Sequence, residues 1–210
     1  MDENLSNNVF GIKEIKEFVK SFFETENKTG THDFSHTMRV FHLSEKIGIE
    51  ENADMEILLP SALLHDVGRS QPGDHAENSG RIAAEILKQL AFPEEKIEKI
   101  IYAISVHRYA KGEIPKTLDA KILQDADRID ALGAIGIMRT FSYGSRKLYN
   151  EDDPFNETGR KLNDKEYSLD HFYQKLLKLP ELMHTKTGKK IAKEREKFML
   201  KFLDELRKEI

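Results

Sequence analysis

Apolar residues recur every three to four positions along almost the whole of this chain, and nowhere do they alternate with polar ones for more than four residues. A period near 3.6 lines side chains along one stripe of a helix, whereas a half-buried strand needs strict alternation. The pattern therefore restricts the fold to helices packed on helices. Ile12, Ile15, Val19, Phe22 and Phe23 make the stripe of a first helix, expected to end in the polar stretch from Thr25 to Gly30. Met38, Val40, Phe41 and Leu43 mark a second, with Ser35 as its candidate cap and Gly48 as its stop. From Met55 to His65 the chain is apolar nearly all round, the mark of a helix buried on every side. Ile82, Ile86, Leu87 and Leu90 form a further stripe, ended by Pro93. Ile97, Ile100, Ile101 and Ile104 follow, and Leu118 to Phe141 reads as one or two more helices.

From Gly144 to Lys165 the periodicity stops. Gly144, Pro154 and Gly159 interrupt this stretch and its charges cluster without register. A loop of about 20 residues is longer than a compact domain usually carries unless it is functional or disordered. Helix resumes from Leu169 to Leu182 and from Ile191 to Leu206. At 210 residues one domain can bury a real core. We expect a single all-α domain over residues 1–210, with a motif core near 30–144, a lid loop at 144–165 and C-terminal helices at 169–208.

Composition narrows the chemistry. With no Cys, the chain can build no disulfide, zinc finger, iron–sulfur cluster or thiol nucleophile. No apolar run approaches the ~20 residues of a membrane span, so no membrane partner is expected. The first ten residues, MDENLSNNVF, have neither a basic segment nor an apolar one, and a cytoplasmic protein is expected. Thirty-three Lys and Arg against 37 Asp and Glu leave a net charge of -4, which argues against general nucleic-acid binding. Eight His in a chain without Cys then need an explanation.

His36 stands near the start of the second helix, and His65-Asp66 ends the most apolar one. His75 and His107 begin and end helical segments, and Asp127 lies in LQDADRID. An imidazole and a carboxylate delivered together into an apolar interior are costly unless something pairs with them. A divalent cation is a usual solution. Mixed His and carboxylate ligands on facing helices suit Mn, Fe, Ni, Zn or Mg, with solvent completing the shell.

In their order and setting, SHTMRV, LLHDVGR and LQDADRIDALGAIG resemble the HD superfamily of metal-dependent phosphohydrolases. The tail LMHTKTGKKIAKEREKFMLKFL is similar to the end of a YedJ-like branch. The resemblance implies that His36, His65, Asp66 and Asp127 bind one metal ion. It also implies that His75 and His107 could hold a second; otherwise they are candidates to contact the phosphate or protonate the leaving group. The implied reaction is hydrolysis of a phosphoester or phosphoanhydride by metal-activated water, on a nucleotide or another small phosphorylated metabolite. Phosphoryl transfer depends on positioning and charge stabilisation, so cations should surround the metal. Arg39, Arg69, Lys186 and Lys189, with Lys190 beside them in a Gly-containing turn, are the candidates. Asp130 is a candidate to orient a ligand or water.

The other polar residues have ordinary readings. His42 and His171 are expected as surface or satisfied core residues, and His184 has no stronger case. His32 is expected to support His36, Asp33 to be a loop or helix-start acid, Asp125 a cap or a support of the ligands, and Arg195 the partner of a nearby Glu. Two other functions stay open: a binuclear phosphodiesterase or oxygenase on the same scaffold, and a non-catalytic metal- or nucleotide-binding regulatory module with residues 144–165 as its partner-binding element.

Overall fold

A computed structural model describes residues 8–25, 33–108, 114–142, 144 and 146–210. His32 lies outside the described residues. The fold is all-α: the described residues contain no strand, only one isolated bridge between Lys147 and Tyr167. The chain divides into two compact units, Met1–Asp127 and Arg128–Ile210.

In the first unit, α1 (Ile12–Thr25) buries Ile12, Ile15, Val19 and Phe23, close to the expected stripe. α2 (Phe34–Glu51) differs at both ends from what its sequence suggests. Its cap is Asp33, whose carboxylate accepts the His36 N–H at 2.9 Å, and not Ser35. An acid at this position satisfies an orphan amide and complements the helix dipole. The helix also runs through Gly48 to Asn52, which takes the left-handed conformation at φ 57. Gly48 is a packing residue, because an added Cβ would lie 2.6 Å from Leu58 Cδ2 on the next helix.

α3 (Met55–Leu64) is the axis of this unit. Asp54 caps it, every residue from Ile57 to Leu64 is buried, and α1, α2, α4 and α5 all pack on it. Its uniform apolarity follows from that position, since it has no face left for water. α4 (His75–Gln89) is capped by Asp74, which accepts the Ala76 and Glu77 N–H groups. α5 (Glu94–Ser105) buries Ile97, Ile100, Ala103 and Ile104. α6 (Leu118–Asp130) carries Asp127 near its end.

In the second unit, α7 (Gly133–Phe141), α8 (Ser168–Gln174), a 3₁₀ helix (Leu176–Leu182) and α9 (Lys186–Glu209) follow. The single helix expected over 169–182 breaks at Lys175 and tightens to 3₁₀ over a segment holding Pro180, which has no N–H to donate. The stretch expected as a lid is stitched in place. Asp153 accepts the Glu157 and Thr158 amides and the Thr158 hydroxyl. Arg160 donates to both oxygens of the buried Asp170, at 2.7 and 2.6 Å. Arg207 lies 4.1 Å over the Phe155 ring. Lys186 and Lys189 stand in the first turn of α9, with Lys190 just after them, and not in a turn before it, with Thr185 as the cap accepting the Gly188 N–H. Among the described residues, no helix is long and apolar enough to cross a membrane.

Candidate metal centre

Because α3 is buried along its length, the residues that follow it emerge inside the unit. His65 is its C-cap and Asp66 begins the next turn; they are 0% and 2% exposed. The His65 Nδ1–H donates to the Ala62 carbonyl at 2.8 Å, which leaves Nε2 to face the interior. There it lies 3.3 Å from Nε2 of His36, which the first turn of α2 brings in from the side. Asp66 Oδ2 is 3.8 Å from both of these nitrogens. Asp127 Oδ1, from α6, is 3.4 Å from His36 Nε2. Ligands held at about 2.0–2.2 Å by one cation stand about 3.0–3.4 Å apart, so the trio of His36, His65 and Asp66 fits a single ion with modest contraction, and Asp127 borders it through His36. The second hydrogen bond of His65, to a carbonyl, is the device that orients metal-ligating imidazoles.

His75 and His107 approach the same aspartate from its other oxygen. Each Nε2 is 3.7 Å from Asp66 Oδ1. The His107 Nδ1–H donates to the Ile104 carbonyl at 2.6 Å, as His65 does one helix away. The loop carrying His107 is tied down by Gln124 on α6, whose Nε2 donates to the Val106 carbonyl at 2.8 Å. Two trios of donors therefore share Asp66: His36 and His65 with it on one side, His75 and His107 on the other.

Electrostatics prepares these groups. Burial pushes His65 down to about 4, against the opposing pull of Asp66, so at neutral pH its imidazole is uncharged. Burial lowers His75 likewise to about 4, opposed by Asp66 and assisted by the charge of Arg69. For His107 burial also acts downward, but the hydrogen bond and charge of Asp66 outweigh it and raise the group. Burial would raise Asp127, yet the hydrogen bond from His36 and the neighbouring imidazoles hold its carboxyl far below the usual range.

The cations expected around the site are placed variously. Arg39 is half-buried on α2, three residues after His36. Arg69 donates through Nη1 to both Asp66 oxygens, at 3.2 and 3.3 Å, and to His75 Nε2 at 3.4 Å. Lys186 and Lys189 belong to the second unit, where Lys189 pairs with Glu181 at 2.9 Å. Asp130 is buried in that unit and accepts from Arg139 at 2.6 Å. His42 is exposed, and His171 pairs with Asp164 at 2.8 Å. His184 Nε2 accepts from Arg128, and Arg195 donates to the Ile129 carbonyl instead of pairing with a Glu. Arg108, which the sequence did not single out, pairs with Asp74 at 3.3 Å and adds its charge near His75. Its only signal was its place directly after His107.

The model of the HD domain matches residues 33–132, the span that holds every one of these candidate ligands. The uncharacterized protein YpgQ of Bacillus subtilis is 34% identical over 208 residues, 94% of this chain and 93% of that one. The chain belongs to the HD superfamily. Its fold is that of the HD-superfamily hydrolases: one from Bacillus thuringiensis is 33% identical, covers 94% of this chain and 95% of its own, and superposes with a TM-score of 0.76. The crystal structure of Bacillus subtilis YpgQ in complex with ADP is 31% identical over 95% of this chain and 94% of that one, with a TM-score of 0.72. In this HD-superfamily chain His65-Asp66 is the adjacent pair at the end of the central helix.

Proposed function

We propose that this chain is a metal-dependent phosphohydrolase that cleaves a phosphoester or phosphoanhydride of a nucleotide or a small phosphorylated metabolite. The observation that carries the reading is the convergence of the buried His36 Nε2, His65 Nε2 and Asp66 Oδ2, with Asp127 Oδ1 at the edge of the cluster, 3.4 Å from His36 Nε2. These four would hold the ion. A bound divalent cation supplies a water of lowered pKa and neutralises charge on a phosphoryl oxygen. The rest falls to the protein. His65, uncharged at neutral pH, offers a lone pair without first losing a proton. Arg39 and Arg69 are the proposed partners of phosphoryl oxygens. His75 and His107 are the proposed contacts of the leaving-group oxygen. The ADP held by the YpgQ structure favours a nucleotide among phosphorylated substrates.

A screen for phosphate and pyrophosphate release tests this, with the chelator-stripped chain reconstituted in turn with Mn, Fe, Ni, Zn and Mg. Turnover of nucleoside phosphates that requires a metal is expected. Binding of nucleotide without release of either product, under every metal, would instead favour a regulatory module.

A further inference from the structure

The two trios around Asp66 are alike in chemistry, each with one carboxylate oxygen and two imidazole nitrogens, and by donor type either could hold a divalent ion. What separates them is Arg69. Its Nη1 stands between the Asp66 carboxylate, at 3.2 and 3.3 Å, and His75 Nε2, at 3.4 Å. We infer that Arg69 is the resident cation of the second half of the centre, so that the chain takes one metal ion where its six donors could take two. The inference rests on the metal-centre reading above and deepens it.

Three observations carry it. A guanidinium only donates, so the His75 Nε2 lone pair is spent on Arg69; a nitrogen accepting that hydrogen bond cannot also coordinate a metal. The guanidinium is a cation, and a dication among Asp66 Oδ1, His75 and His107 would stand against it. The placement is also imposed by the backbone. The Arg69 N–H donates to the Asp66 carbonyl, and the Gly68 N–H donates to Ser79 Oγ at 2.9 Å. Gly68 lies so close to α4 that a Cβ there would meet the Ser79 nitrogen at 2.2 Å. The same helix begins with His75, so one fixed turn brings both Arg69 and His75 to Asp66. Among the described residues, every partner of the Arg69 guanidinium belongs to this cluster.

The test is a count of ions on the full chain, stripped by chelator, loaded with excess Mn(II) and freed of unbound metal. Wild type is expected to hold one Mn per chain and to give the spectrum of an isolated Mn(II) in electron paramagnetic resonance. Arg69→Ala should hold two and show the signature of a coupled pair. Arg69→Gln, which keeps length but not charge, is expected to do the same if the shorter variant fails to fold. Arg69→Lys should stay at one, and adding His107→Ala to Arg69→Ala should restore one. Two ions in the wild type, or one in both folded neutral variants, would overturn the inference while leaving the metal centre intact. No ion in the wild type would overturn the centre itself, and this inference with it.

Discussion

Asp66 presents Oδ2 to His36 and His65 and Oδ1 to His75 and His107, while Arg69 bridges both oxygens. Removing a carboxylate with so many partners should empty the site without unfolding the helices. For Asp66→Ala we expect loss of bound metal by elemental analysis, and loss of activity well beyond the about 10–100-fold typical of disturbing a ligand's hydrogen-bond partner. Helical circular dichroism should be retained; turnover surviving the change would contradict the assignment. Gly68 makes the opposite prediction, for stability and not chemistry. Its Cβ would meet the Ser79 nitrogen and the Asn78 carbonyl carbon at 2.2 and 2.5 Å, and backbone atoms cannot swing aside. Gly68→Ala is expected to cost about 3 kcal/mol, the upper end for overpacking. In a chain of this size that lowers Tm by about 6–12 °C.

At the scale of elements, each candidate ligand owes its position to a helix end. His36 stands in the first turn of α2, where the Asp33 carboxylate accepts its N–H. Losing an N-cap costs about 1 kcal/mol, and the cost falls on the turn that carries the ligand. Asp33→Ala should therefore weaken metal affinity by about tenfold, in line with other outer-shell losses, while Asn or Ser there should preserve it. In the second unit, the 144–165 stretch is held by Arg160 on Asp170, which also accepts the Asn163 N–H at 2.7 Å. Burial raises the Asp170 carboxyl, but these bonds outweigh it and set it below its ordinary value. A group with a lowered folded pKa contributes stability above its unfolded pKa, and that stability is lost as pH falls through the folded one. Asp170→Asn should thus lower Tm by several degrees at neutral pH, with the gap closing as the buffer is taken below the carboxylate range. A gap of constant size would show that the ion pair is not its source.

For the whole molecule, a ligand that binds only the folded chain stabilises it by mass action, about 2.7 kcal/mol at a hundredfold excess over Kd. Mn(II) at that excess should raise Tm by about 5–10 °C. His36→Ala and Asp127→Ala should abolish the shift, and a shift that persists in both would place the ion elsewhere. Much of this architecture was legible beforehand. A 3.6 period without alternation can only mean helices, and the apolar run after Met55 announced a buried helix because no water-facing residue was provided. His65 and Asp66 stood out because burying them there is costly without a partner. What could not be read were the places where two distant segments press together. Gly48 looked like a helix stop and is a contact with Leu58; the 144–165 stretch read as a loop without register because the partners of Asp153 and Arg160 are amides, a hydroxyl, a carbonyl and an aspartate, which leave no periodic trace. The identity and order of the candidate ligands are properties of the chain, set by which residues cannot be buried alone. Which oxygen of Asp66 each imidazole faces, and that Arg69 stands among them, are decided only when the turn at Gly68 packs against α4, since distances of a few ångströms between remote residues are set by packing and not by spacing along the chain.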